Sequence, residues 1–297
     1  MTSESLSPAR PDLVQARPAR RRGRGRPAGK HGVWPSLWLY LVVTWLAAGG
    51  LKEMQPVTHI STQVLTLTQF GPSIAVLVVL AMGRGAAPLM WRGPAVATLQ
   101  RIAVGVAVLA AVFGFSLAGL ALTGRSIHLT SPSSLGEPFW LIVVAQLAGA
   151  CGEELGWRSF LQPQLQRRYS PVVSALIVGV LWGTWHVEYF GDGLPFVVAF
   201  VAMAMAISVI LADLIGGVCS LAVAGVFHWL LNLAILLLLN FSNGDLADVV
   251  ALAAGFLVAA VVLHARARIE GGAAHGRRGW ARYAGRPARP WRLTCYF

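Results

Sequence analysis

The chain has 297 residues, 56% hydrophobic and only 12% charged, with a formal net charge of +12. A soluble domain carries about 25% charged residues, so this composition excludes an ordinary water-soluble globule and points to an integral membrane protein. The positive charge is segregated: eight of the 24 Lys and Arg lie in 1–33 and eight more in 265–297.

Residues 1–33, with the run ARPARRRGRGRPAGK, read as a disordered basic cytoplasmic tail resting on anionic lipid. No folded reader of nucleic acid accompanies the run, so no nucleic-acid partner is expected. A bilayer core takes roughly 20 mostly apolar residues per helix. On that measure residues 34–264 form an all-α polytopic bundle of about eight transmembrane helices. The expected spans are Trp34–Gly50, Thr66–Met82, Ile102–Thr123, Pro138–Gly156, Pro171–Phe190, Leu194–Ile215, Val218–Asn240 and Leu246–His264. Residues 265–297 follow as a second basic cytoplasmic tail.

Loop charge orients the bundle. With the N-terminus inside, both tails, Arg84, Arg92, Arg101, Arg158, Arg167 and Arg168 fall on the cytoplasmic side. That is 22 of the 24 Lys and Arg, with only Lys52 and Arg125 outside. This asymmetry predicts a multi-pass plasma-membrane protein with both ends in the cytoplasm. No internal repeat of the kind that builds inverted-repeat transporters is visible.

Ionisable residues within spans are functional-site hypotheses by default. The fourth span runs from the apolar WLIVVAQLAGA into GACGEELGWRSF, Gly149 to Phe160. Glu154 and Arg158 stand at i,i+4 and pair along the helix. Glu153 points about 100° away and has no partner on its own helix. A carboxyl group so placed suits general acid or base work; the plainer reading is a helix end dipping into the cytoplasmic interface. Cys151, two residues from Glu153, points largely away from it, against a Cys–His nucleophile.

His186 lies near the end of the fifth span, in LWGTWHVEYF, and alone reads as a hydrogen-bonded core histidine. His228 and Asn232 in VFHWLLNLA are at i,i+4 on one helical face, where they are either site residues or interhelical glue. Counted from the helix ends, Glu153, His186 and His228 sit ~15–22 Å deep at ~1.5 Å per residue. That match needs the fourth helix to continue toward Arg167 rather than stop at Pro163. Glu188 and Asp213, near span ends, are expected to reach water.

Glu153-Glu154-x-x-x-Arg158, then Trp182-x-x-x-His186, then His228-x-x-x-Asn232 resemble the three motifs of the CPBP family, in its order and on three separate predicted helices. These are the CAAX protease and bacteriocin-processing intramembrane proteases, including the type II CAAX prenyl endopeptidases. The resemblance covers about 140–240, and Trp182 stands where the family usually has phenylalanine. It implies an intramembrane endopeptidase acting on a membrane-associated or lipidated protein or peptide. In that role Glu153 and His186 would hold and deprotonate a water, and His228 and Asn232 would hydrogen-bond the oxyanion. Glu154 and Arg158 would orient the first motif, with Trp182 in a packing position.

Two versions of the chemistry stay open. Glu153, His186 and His228 could ligate zinc. The preferred version uses a glutamate-activated water with no cofactor, because zinc with a Glu ligand still needs a separate base and Glu154 is already engaged by Arg158. The competing classes are a transporter that uses these groups as a relay and a non-catalytic immunity protein that keeps the fold.

Overall fold

The computed structural model describes residues 33–84, 93–125, 127, 129–216, 218–239 and 244–282, with side chains from 34 to 269 of that range. Every regular element among the described residues is helical, as the apolar runs predict. Helix α1 spans Val33–Thr58, a 3-10 turn Leu67–Phe70 leads into α2 (Gly71–Ala81), and α3 spans Ala95–Leu122. Helix α4 (Phe139–Gly156) passes through a π-helical turn, Trp157–Leu161, into α5 (Gln162–Gln166). Then come α6 (Pro171–Trp185), a 3-10 turn Val187–Asp192, α7 (Leu194–Ile215), α8 (Leu221–Leu238) and α9 (Leu246–Arg282).

Six helical stretches are long and apolar enough to cross a membrane: Trp34–Thr58, Ala95–Leu122, Phe139–Gln166, Leu194–Ile215, Leu221–Leu238 and Leu246–Ile269. The expected second and fifth spans are shorter apolar helices, Leu67–Ala81 and Pro171–Trp185. The latter has 15 residues, about 22 Å of rise against a hydrocarbon core of about 30 Å. It stops because His186 leaves the helical region at φ −77°, ψ 68°. Glycine at 193, with φ 91°, then makes the turn into α7. Among the described residues the eight expected spans thus correspond to six helices of full length and two shorter ones.

Helix α9 runs on to Arg282, so the first part of the expected tail, residues 265–282, is helical. That stretch is rich in Ala and Arg, which are strong helix formers. Residues 1–32 and 283–297 of the two basic tails, with Arg92 and Asn240, lie outside the described residues.

Pro163 does not end the fourth helix. Proline has no N–H to donate, and in an α-helix its ring collides with the carbonyl of residue i−4, here Ser159. The π-helical turn immediately before it widens the spiral where that collision would fall. The helix therefore carries Arg158, Gln162 and Gln166 onward from the Glu153–Glu154 pair.

Small residues set how closely the helices around α4 approach. A Cβ on Gly156 would lie 2.3 Å from Pro72 Cβ and 2.6 Å from the Tyr40 hydroxyl, so α4 rests directly on α1 and α2. A Cβ on Gly225 would lie 2.8 Å from Cys151 Sγ, which brings α8 against the same helix. Such close contact is the main source of helix attraction in lipid, where apolar burial alone gives little. Helix α7 is the most enclosed of the set, with Ile207, Ile210, Leu211 and Leu214 buried. Trp38, Leu46, Trp140, Val144 and Val198 face outward, an apolar surface suited to acyl chains.

Candidate active site

The two adjacent carboxylates of α4 are both buried, and helical geometry sends them to different neighbours. Glu154 is 0% exposed. Its Oε1 accepts from Arg158 Nη1 at 2.8 Å and meets His228 Nδ1 at 2.8 Å. A carboxylate oxygen is an acceptor only, so Nδ1 is assigned as the protonated nitrogen of His228. Arg158 Nη2 donates to Ser208 Oγ of α7 at 3.0 Å. The guanidinium carbon lies 4.2 Å from the Trp182 ring centroid, within cation–π range. The expected Glu154–Arg158 pair thus forms, and it also ties in α7, α6 and α8. Buried charge is tolerated where partners and hydrogen bonds are supplied in this way.

Glu153 finds its partner on α6. Trp182 Nε1 donates to Glu153 Oε2 at 2.7 Å, so the residue expected only to pack also holds the carboxyl group. The Trp182 carbonyl meets His186 Nδ1 at 2.8 Å. A carbonyl is likewise only an acceptor, which assigns the proton to Nδ1 and leaves Nε2 with a lone pair. The Trp182 ring is 5.7 Å from that of His186 and 5.3 Å from that of His228, edge-on to both. Trp182 therefore touches members of all three motifs. His186 is further boxed by Trp185 at 5.1 Å and Phe200 at 5.0 Å.

Asn232 is held separately. Its Nδ2 donates to Gln146 Oε1 at 3.1 Å. The amide nitrogen of Gln146 donates to the carbonyls of Gln63 and Val64 at 3.2 and 3.4 Å. Those two carbonyls fix which end of the Gln146 amide faces Asn232. One N–H of Asn232 is used and its second remains to donate. The pairings of Glu154 with His228 and of Gln146 with Asn232 run in opposite directions along α4 and α8, so the two helices are antiparallel.

Among the described residues no three or more His, Cys, Asp and Glu side chains are grouped to hold a metal ion. His228 turns Nδ1 to Glu154, His186 turns Nδ1 to a backbone carbonyl, and the Trp182 ring neighbours both imidazoles. Both histidines thus keep Nε2 clear with Nδ1–H held by an oxygen, an arrangement that serves a water-holding imidazole and a metal-ligating one alike. Asp213, half-buried near the end of α7, pairs with His264 Nδ1 at 3.1 Å.

Three contributors were not read from the sequence: the Trp182 indole N–H, Gln146 and Ser208. Gln146 had a signal, since it is the one polar side chain in WLIVVAQLAGA and lies on the Glu153 side of α4 at i−7. Ser208 had none, because its partner is 50 residues away.

Residues 135–234 match the family described as type II CAAX prenyl endopeptidase Rce1-like. CAAX prenyl protease 2 of Methanococcus maripaludis is 27% identical over 142 residues, which cover 44% of this chain and 51% of that protein. The chain thus spans about half the length of the curated relative it matches. Both comparisons support the family that the three motifs resemble, and the matched segment contains all of the motif residues.

Proposed function

We propose that this chain is an intramembrane endopeptidase that hydrolyses a peptide bond of a membrane-associated or lipidated protein or peptide. The observation that carries the reading is the Trp182 junction: a buried carboxylate and an imidazole with a free ring nitrogen are held by one residue. Glu153 and His186 hold and deprotonate a water. Trp182 occupies Glu153 Oε2, so Oε1 takes the proton, while His186 Nε2 accepts the water's other hydrogen bond. The oxygen adds to the scissile carbonyl, and Glu153 returns the proton to the departing amide nitrogen.

His228 and Asn232 receive the oxyanion. The His228 Nδ1–H is spent on Glu154, so Nε2 donates only from the imidazolium, whose charge is offset by the Glu153 carboxylate while Glu154 offsets that of Arg158. The second N–H of Asn232 is the other donor. Donors fixed in advance where charge develops contribute most to rate. Glu154, Arg158 and Gln146 are positioning residues, and no step passes through a metal.

The relative's name points to a prenylated carboxy-terminal segment as one substrate class; other lipidated or membrane-anchored peptides fit the same chemistry. The charge asymmetry supports a plasma-membrane protein with both ends in the cytoplasm, and its tails suit anionic lipid rather than nucleic acid. Comparative proteomics of membranes carrying the wild type or Glu153→Ala tests the function. The variant accumulates uncut membrane-associated proteins that the wild type removes; identical peptide sets contradict the reading.

A further inference from the structure

Beyond the Glu153–Glu154 pair, the π-helical turn and α5 carry a row of polar residues that starts at the positioning residue Arg158 and goes on through residues the reaction does not use. Arg158, Gln162 and Gln166 line one side of a small, partly open cavity with about 30 Å³ of room for water, and Ala212 of α7, Ser220 and Ala224 of α8 line the other. Arg158 is 2% exposed, Gln162 1% and Ser220 3%. Arg158 Nε, both amide atoms of Gln162 and Ser220 Oγ have no protein hydrogen-bond partner among the described residues. Four unpartnered buried polar atoms around one cavity call for an occupant, since burying such groups unbonded is costly.

Size and charge select the occupant. A cavity of this volume has room for about two waters, too few atoms for an organic ligand. A cation would face the Arg158 guanidinium. An anion would leave Gln162 Oε1 without a donor, and the charge of Arg158 is already met by Glu154. Water both donates and accepts, and two molecules satisfy Arg158 Nε–H, Ser220 Oγ and both ends of the Gln162 amide.

We propose that this cavity is a water-binding site whose ordered waters, held by Gln162 and Ser220, fix the Arg158 guanidinium from the side opposite Glu154. Arg158 in turn fixes Glu154 and through it His228, so the waters are part of what positions the site. The hydration is independent of the protease reading; its effect on rate rests on that reading.

A crystal structure of the full chain grown in lipid from bromide buffer tests the site. Oxygen density within hydrogen-bond distance of Arg158 Nε and the Gln162 amide is expected. An anomalous bromide peak, or a cavity closed by protein atoms, overturns it. Gln162→Leu tests the positioning role: kcat falls about tenfold with KM unchanged. Ser220→Ala, which adds no bulk, moves kcat the same way by less. Unchanged kcat in both overturns the role, whereas absence of any proteolysis in the wild type would sink the protease reading and leave the density result standing.

Discussion

The indole N–H of Trp182 donates to Glu153 Oε2 at 2.7 Å, and this one hydrogen bond links the first two motifs across two helices. Phenylalanine, the residue the family usually carries there, has no such donor. Trp182→Phe keeps an aromatic ring at the junction while releasing the carboxyl group. A hydrogen bond of this kind is worth about 1 kcal/mol, so kcat drops roughly fivefold with KM unchanged. Steady-state kinetics on a reporter peptide in liposomes checks this.

Arg158 and Glu154 bury their charges against each other. Removing one partner of a buried pair costs about 3–5 kcal/mol, whereas replacing both with apolar groups is far milder. Arg158→Ala therefore loses stability by that order, and the combination Glu154→Gln with Arg158→Met recovers most of it. Reversible unfolding in mixed micelles measures both. Equal losses in the single and double variants would show that the pair is not the source.

Gln146 sets the orientation of Asn232 from α4. Gln146→Leu frees the amide to rotate and weakens the oxyanion site without touching the water-holding residues. Losing a well-placed donor outright costs 10²–10³ in kcat, so misorienting one lowers kcat by about tenfold. A rise in KM with kcat intact would place Gln146 in substrate binding instead.

In the proposed scheme Glu153 and His186 activate the water without a metal. Protein stripped with chelator and assayed in metal-free buffer retains full activity. Loss on stripping and recovery with stoichiometric zinc would overturn the water-activation scheme.

Much of this was legible before any coordinates. The i,i+4 spacing of Glu154 and Arg158 was enough to predict their pairing, and the three motifs lie on three helices that meet at Trp182. Hydropathy located the apolar helices but not the shortness of two of them, because a 15-residue apolar helix and a 20-residue one look alike in a sliding window. The Pro163 question needed the π-helical turn, which leaves no compositional trace. Trp182 looked like packing because the direction of an indole N–H depends on how α6 meets α4, which no spacing along the chain gives. The convergence on Glu153 was also only partly legible. His228 turned to Glu154 and Asn232 to Gln146, since neighbours on α4 offered acceptors that no spacing rule weighs.

The most direct test of the central claim is purified protein in sealed liposomes with a prenylated reporter peptide, comparing wild type with Glu153→Ala. The account predicts cleavage by the wild type at a defined bond and none by the variant, with both proteins folded. Cleavage by Glu153→Ala at the wild-type rate would contradict it.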